Sequence, residues 1–205
     1  MAVGDPRGLG CVPFPAMRIT GGRARGIQLR IPKGDKVRPA MDRLRQAVFS
    51  SLGGAVEGVR FVDLFAGSGS YGLEALSRGA AGGVFVEQDR KALQCLRENL
   101  EAVCKSAGRG LETLEVAPAD AFHWQPIGGP SASIIFADPP FRIVETNTPR
   151  LFERFNLALA PGPAGRVVFE MPAELELTQP GWTLLKRLGG GAAGSAVACI
   201  YSKDI

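Results

Sequence analysis

The sequence predicts a mixed α/β fold in which most strands of one sheet run parallel. From residue 59 onward, short apolar segments alternate with amphipathic segments of helical period, and no internal repeat is present. Parallel strands need a crossover between them, and a helix usually forms it with right-handed chirality. A chain of 205 residues is long enough for one domain with a buried core. We therefore expect a single sheet covered by helices.

The N-terminal part is expected to lie outside this sheet. Residues 1–16 contain Gly, Pro and small residues without a period, which predicts a disordered extension. Residues 17–32 predict two short strands around a Gly-Gly pair, and Pro39 precedes a segment of helical period. We therefore divide the chain into the extension, a hairpin and helix over 17–54, and an α/β domain over 55–205.

The elements of the α/β domain follow from their patterns. Short apolar segments rich in Val, Ile and Phe predict buried strands; they are 59–65, 83–89, 111–118, 132–138 and 166–172. Segments with apolar residues three and four apart predict helices; they follow the glycine-rich residues 66–72, cover 90–108, and lie around 148–160. The last two segments, WTLLKRL and AVACIYS, predict an antiparallel pair.

Composition excludes several classes of protein. The four cysteines form no C-x-x-C pair and His123 is the one histidine, which argues against a zinc cage, a disulfide scaffold or a Ser-His-Asp site. Neither an apolar run of about 18 residues nor the apolar core of a signal peptide occurs. We expect a cytoplasmic monomer with reduced thiols, no metal and no membrane partner.

The net charge of +4 is unevenly distributed. Residues 17–45 hold nine Arg or Lys and two Asp, a net charge of +7, whereas the rest of the chain sums to −3. A basic block on a nearly neutral body predicts a polyanionic partner.

A glycine-rich loop between a predicted strand and a predicted helix carries the first chemical signal. Gly67, Gly69 and Gly72 satisfy the pattern G-x-G-x-x-G, and Glu87 stands at the end of the next strand. Glycines there let a nucleotide approach the backbone closely, and the acid accepts from ribose hydroxyls. The segment predicts a nucleotide-like cofactor.

Asp63, four residues before the first glycine, narrows the choice of cofactor. A carboxylate at this place would repel a pyrophosphate but suits an ammonium or sulfonium group. S-adenosylmethionine has both groups, with a ribose for Glu87 and an adenine amine for Asp120. The residues therefore favour S-adenosylmethionine over a nicotinamide dinucleotide.

The tetrapeptide Asp138-Pro139-Pro140-Phe141 follows an apolar strand. Two prolines form a stiff turn without N–H donors, so the Asp138 carboxylate and the backbone carbonyls present acceptors to one small volume. Acceptors on an exocyclic amine can turn its lone pair toward a methyl donor, and Phe141 offers a face for a base to stack on. The tetrapeptide predicts methylation of a nucleobase amine.

Five segments together resemble the RsmD family of bacterial methyltransferases; they are MRITGGRARGIQLRIP, VRPAMDRLRQAVFSSL, VDLFAGSGSYGLEALSRGA, VEQDRKA and ADPPF. The resemblance runs from Met17 to about residue 202. It implies a seven-stranded, Rossmann-like methyltransferase sheet with an N-terminal hairpin, S-adenosylmethionine as donor, and N2 of a guanine in 16S rRNA as acceptor. Arg38 and Asp42 match the family's basic block, whereas Ala40 stands where Thr is usual.

The predicted site residues form three sets. The catalytic set is Asp138, Pro139, Pro140 and Phe141. The set expected to bind S-adenosylmethionine, and its product S-adenosylhomocysteine, is Asp63, Phe65, Gly67, Ser68, Gly69, Glu87, Asp120, Ala121 and Arg38. The set expected to bind 16S rRNA or the small ribosomal subunit, in the RNA-facing residues 17–54, is Arg18, Arg23, Arg25, Arg30, Lys33 and Arg43.

The sequence also fits other functions. The same motifs fit an amino-methyltransferase that acts on another RNA guanine or on a DNA adenine. The glycine pattern alone would fit a nicotinamide-dependent oxidoreductase, and the basic block alone a non-catalytic RNA-binding module. Methyl transfer from labelled S-adenosylmethionine would distinguish these classes.

Overall fold

The computed structural model describes residues 10–34, 40–162, 164–190 and 194–204. Within these ranges the strands are β1 (Cys11–Arg18), β2 (Gln28–Pro32), β3 (Arg60–Asp63), β4 (Gly82–Glu87), β5 (Leu114–Pro118), β6 (Ile134–Ala137), β7 (Arg166–Pro172), β8 (Trp182–Gly189) and β9 (Ala196–Lys203). The helices are α1 (Ala40–Leu52), α2 (Ser70–Ser77), α3 (Arg90–Ala107) and α4 (Phe141–Ala158), with a short 3₁₀ helix over Gly53–Val56.

The main sheet has seven strands in the order β5-β4-β3-β6-β7-β9-β8. The first five of these pair in parallel, whereas β9 runs antiparallel to both β7 and β8. The predicted α/β class, with a largely parallel sheet and an antiparallel final strand, is confirmed. No helix in the described residues is long and apolar enough to cross a bilayer.

Side chains alternate between two apolar layers, one on each face of the sheet. Phe61, Phe85 and Phe136 point to the face covered by the hairpin and the first three helices. Ile135 and Phe169 point to the other face, which α4 covers. The strands are buried on both sides, which explains why they read as continuous apolar runs.

The hairpin begins earlier than predicted. β1 and β2 pair antiparallel, with Cys11 opposite Pro32 and Arg18 opposite Gln28. The expectation of disorder over residues 1–16 is therefore wrong for 11–16; residues 1–9 lie outside the described residues. The signal was hidden because the prolines of β1 look like loop residues, although proline is tolerated in a strand at an edge.

A disulfide links the hairpin to α3, with the Cα atoms of Cys11 and Cys95 5.6 Å apart. The expectation of reduced thiols is wrong for this pair, whereas Cys104 and Cys199 are free and buried. β2 packs along α3, and this contact brings together two cysteines separated by 84 positions. The sequence separation of these two cysteines does not indicate that they pair.

α4 also differs from the prediction, which placed a helix only around 148–160. It begins at Phe141, directly after Pro140, and is interrupted at Asn147, where φ is −131° and ψ is 18°. Pro149 follows this interruption. Proline removes a backbone donor and favours the first turn of a helix. The sequence pattern therefore predicted a helix that begins near Pro149 and covers only the second half of α4.

Candidate active site

Four acidic residues stand near the carboxyl ends of four neighbouring strands. Glu87 and Asp63 end β4 and β3, Asp138 follows β6, and Glu170 lies in β7. Asp63 pairs in register with Phe85 and Phe136, and Ala137 pairs with Phe169, which sets Asp138 beside Glu170. Because side chains alternate along a strand, the four carboxyl groups lie on the same face of the sheet.

A cavity of about 360 Å³ opens at this edge of the sheet. Of the predicted site residues it brings together Asp63, Phe65, Gly67, Ser68, Glu87, Asp138 and Pro140. Its volume lies in the range of small-molecule sites, about 300–1,000 Å³. The glycine loop and the Asp-Pro-Pro turn therefore form one site, as a cofactor beside its acceptor would require.

The glycine loop is held in place by Glu87. The Gly67 N–H donates to Glu87 Oε2 at 2.8 Å, and the backbone N–H groups of Gln88 and Asp89 donate to Oε1 at 2.8 and 2.7 Å. A carboxylate offers about four lone pairs, so Oε2 keeps one for a ligand hydroxyl. Glu87 thus orders the loop and still faces the cavity.

The three glycines of the loop have different structural roles. Gly67 has a φ of 54° and faces open space, whereas a Cβ on Gly72 would overlap the ring of Phe85. Gly69 has a φ of 95° at the start of α2, and a Cβ there would overlap Leu96. Gly67 therefore leaves room for a ligand, and the other two let α2 pack closely on the sheet and α3.

Asp63 is 2% exposed and lines the cavity. Its Oδ2 accepts from the Gly72 N–H at 2.9 Å. The pKa of Asp63 is raised to about 7, mainly by burial and to a smaller extent by the carboxylates of Asp138 and Glu87, while the hydrogen bond from Gly72 opposes the rise. A buried acid with a raised pKa that faces a cavity is a favourable partner for a cationic ligand group.

Asp138 is half-buried at the cavity wall, and desolvation raises its pKa to about 6. At neutral pH it is mainly a carboxylate that can accept hydrogen bonds. Pro140 lines the cavity next to it, and so do Arg142 and Ile143 at the start of α4. Among the described residues the lining does not include Pro139 or Phe141, so their catalytic roles stay predictions.

Three of the predicted cofactor residues that the structure describes do not line the cavity: Gly69, Asp120 and Ala121. Asp120 accepts from the Phe122 N–H at 2.9 Å and lies 3.0 Å from His123 Nδ1, within its own turn. Ala121 is buried in the core beneath that turn, and Arg38 lies outside the described residues. Phe65 lies on the lining and contacts Phe122 edge to face; the turn therefore borders the site, and a role for Asp120 stays a prediction.

The hairpin contributes cavity residues that sequence reasoning missed. Met17, Ile31 and Pro32 form an apolar part of the lining. Asn99 of α3 was also missed: it is 1% exposed, and its Nδ2 donates to the carbonyl oxygens of Arg30 and Ser68, each at 2.9 Å. An Asn on an otherwise apolar helix face was the available signal.

Glu170 and Tyr71 were missed as well. Both are buried, and the Tyr71 hydroxyl donates to Glu170 Oε1. Burial is the largest cause that raises the pKa of each group well above its ordinary value. Tyr71 lines the cavity and Glu170 lies behind it. A buried glutamate within an apolar strand was the available signal.

The predicted RNA-binding residues belong to the hairpin and α1, and the turn that holds Arg23 and Arg25 packs on Ser77, at the end of α2 away from the glycine loop. All six predicted RNA-binding residues are exposed: Arg18, Arg23, Arg25, Arg30, Lys33 and Arg43. Arg30 also pairs with Glu98 at 2.8 Å. Arg45, in contrast, is 1% exposed and pairs with Asp42 at 2.7 Å and Glu74 at 3.5 Å. Part of the positive charge of residues 17–45 is therefore used in a buried ion-pair network within the protein.

Comparisons with known proteins identify a family and several relatives to which this chain is similar. The family model described as conserved hypothetical protein 95 matches residues 17–201. The ribosomal RNA small subunit methyltransferase D of Haemophilus influenzae is 34% identical over 172 residues, which cover 83% of this chain and 86% of that protein. The solved structure of yhhF from Escherichia coli has a TM-score of 0.73 and 31% identity, and the match covers 95% of this chain and 99% of that one.

The protein named ribosomal RNA small subunit methyltransferase D in Escherichia coli strain K12 is 39% identical over 126 residues, or 62% of this chain. The chain spans 61% of the length of that relative.

Proposed function

This chain belongs to the RsmD family, whose model is described as conserved hypothetical protein 95, and from that premise we propose that it methylates 16S rRNA. The methyl donor is S-adenosylmethionine, the product is S-adenosylhomocysteine, and the acceptor is the exocyclic N2 of a specific guanine. The protein acts as a cytoplasmic monomer on rRNA or on the small ribosomal subunit.

The observation that carries the proposal is the place of Asp138. It shares one cavity with Asp63 and Glu87, the two acids at the ends of the neighbouring strands. An amine bound at the Asp-Pro-Pro turn would therefore lie next to Asp63, which suits the cationic group of the cofactor, and Glu87, which suits its ribose. This adjacency favours group transfer to an amine over hydride transfer.

The residues present fit the donor. The buried Asp63 carboxylate suits a positive group, the free lone pair of Glu87 suits a ribose hydroxyl, and open space at Gly67 admits a ligand near the backbone. S-adenosylmethionine supplies a methyl group on a sulfonium, which needs no further activation.

Asp138 aligns the acceptor. Its carboxylate accepts a hydrogen bond from one N–H of the guanine amine, which directs the nitrogen lone pair toward the methyl group. As the nitrogen gains the methyl group it loses a proton, and the Asp138 carboxylate takes it. Because Asp138 has a pKa of about 6, it returns this proton readily to neutral solvent.

The basic hairpin holds the RNA around the target base. RNA enzymes of this kind grip the phosphate backbone through Arg and Lys side chains. Arg18 and Lys33 lie on the hairpin strand ends, whose neighbours Met17 and Pro32 line the cavity. Phosphate contacts there would present a flipped guanine to Asp138.

A purified-protein assay tests this function. The protein, labelled S-adenosylmethionine and small subunits from a strain that lacks its own enzyme of this type are incubated, and 16S rRNA is mapped by mass. One N2-methylguanine should appear at a single position. Label in another RNA guanine or in DNA adenine would favour the alternative substrates, and no label in any nucleic acid would overturn the proposal.

A further inference from the structure

Glu170 is a buried acid that the mechanism above does not use. It lies in β7, is 3% exposed, and accepts a hydrogen bond from the Tyr71 hydroxyl. The Tyr71 ring is stacked on Phe136, with ring centroids 5.3 Å apart, and tilted against Phe49 at 6.2 Å. Tyr71 therefore has one fixed position, in the wall of the cavity.

Glu170 is also the neighbour of Asp138 across two parallel strands. Ala137 of β6 pairs with Phe169 of β7, and the next residue of each strand is an acid. Asp138 is half-buried at the cavity wall, whereas Glu170 lies deeper. The two carboxyl groups thus differ in their access to solvent.

Three further charged or titratable groups lie around Asp138 and Glu170. Asp63 faces the pair from β3, Tyr71 from α2 and Arg45 from α1. Burial and the charge of Asp138 raise the pKa of Glu170, and the Tyr71 hydrogen bond and Arg45 only partly oppose them. Carboxylates in adjacent, poorly solvated positions do not ionise together, so the deeper acid keeps its proton.

We propose that Glu170 is a positioning residue, which stays a neutral acid beside Asp138 and fixes Tyr71 in the cavity wall. A neutral Glu170 leaves Asp138 as the charged acceptor of the pair. A charged Glu170 would drive Asp138 to take up a proton, and Asp138 would then lose acceptor capacity at the amine. This inference rests on the proposed function only for its kinetic consequences.

Three variants separate this role from simple core filling. Glu170→Gln keeps the size, the neutral charge and an acceptor for Tyr71. Glu170→Ala removes the acceptor, and Tyr71→Phe removes the donor. We expect Glu170→Ala and Tyr71→Phe each to lower kcat about tenfold, with little change in S-adenosylmethionine affinity. Because both substitutions remove the same hydrogen bond, the kcat of the double variant should be no lower than that of the less active single variant.

Glu170→Gln should retain kcat within about threefold at neutral pH and leave the acid limb of its pH profile, which reports Asp138, in place. If Glu170 is charged in the native protein, its removal will instead shift this limb to lower pH. Glu115→Gln, an exposed acid on β5 of the same sheet, is the matched control.

Infrared difference spectra provide a test that does not depend on catalysis or on the folding of Glu170→Ala. At a pH above the pKa values of Asp63 and Asp138, where both are ionised, the native protein should still show the C=O stretch of a protonated carboxylic acid, which is lost in Glu170→Gln and kept in Glu115→Gln. A spectrum unchanged by Glu170→Gln, or a shifted acid limb, would overturn the proposal. Failure of the native protein to methylate rRNA would overturn the proposed function instead and leave the infrared result standing.

Discussion

The Asn99 side chain donates to the backbone carbonyl of Ser68 at 2.9 Å, which ties α3 directly to the glycine loop. The same side chain bonds both backbone groups of Arg30 in the hairpin. One buried amide therefore joins the hairpin, the helix and the loop that lines the cavity. The hairpin thus contributes to the wall of the cavity as well as carrying part of the predicted RNA surface.

Asn99→Ala should weaken both the fold and the donor site. It leaves three partly buried backbone groups without their partner, so we expect the free energy of unfolding to fall by about 2–3 kcal/mol. S-adenosylmethionine affinity should fall with it because Ser68 is no longer held. Chemical denaturation and calorimetry measure the two effects. Glu101→Ala, on the exposed face of α3, should change neither, and an Asn99→Ala protein as stable as this control would contradict the account.

S-adenosylmethionine affinity should depend on pH through Asp63. The cationic group binds the carboxylate and not the acid, and the pKa of Asp63 is about 7. Affinity should therefore rise as pH increases toward that value, by up to about tenfold per unit below it, and level off above it. Calorimetry over this range should show the rise in the native protein and its loss in Asp63→Asn. The same slope in both proteins would show that another group is responsible.

The disulfide predicts a stability that depends on redox conditions. Cys11 and Cys95 close a loop with a sequence separation of 84, and such a link typically stabilises a protein by about 2–4 kcal/mol. Thermal unfolding with and without reductant should differ for the native protein and not for Cys11→Ser. Equal transitions under the two conditions would contradict a stabilising bond.

The hairpin should account for part of the salt dependence of RNA binding. Arg23 and Arg25 are exposed in the turn between β1 and β2. Replacing both with Ala should lower RNA affinity and reduce the slope of log K against log salt by about 0.7–0.9 per lost phosphate contact. The control removes two exposed charges from α3, Arg97 and Lys105. Equal slopes for the native protein and the hairpin variant would place the RNA elsewhere.

The fold was largely predictable because its signals are local. The buried strands, the glycine loop and the Asp-Pro-Pro turn each follow from composition over a few residues, and the structure confirms the parallel sheet. The two elements whose bounds were predicted wrongly both contain proline. The prolines of β1 are not typical of a strand, and Pro149 made the first half of α4 unrecognisable as a helix. At these places the surrounding structure outweighs the local preference.

The site was predictable only for residues at strand ends. Asp63, Glu87 and Asp138 follow apolar strands, so their meeting at one edge of the sheet follows from parallel topology. Asn99 and Glu170 act through partners far away in the chain, at Ser68 and Tyr71. Such pairs depend on packing between elements, which local sequence pattern does not contain.

Methyl transfer by Asp138→Ala, measured beside S-adenosylmethionine affinity in the same preparation, tests the central claim most directly. Loss of the Asp138 carboxylate removes the hydrogen-bond acceptor for the guanine amine and leaves the residues proposed to bind S-adenosylmethionine unchanged. Transfer to 16S rRNA should fall by at least about a hundredfold, while cofactor affinity should stay within a few-fold of the native value. Near-normal turnover in this variant would contradict the central claim.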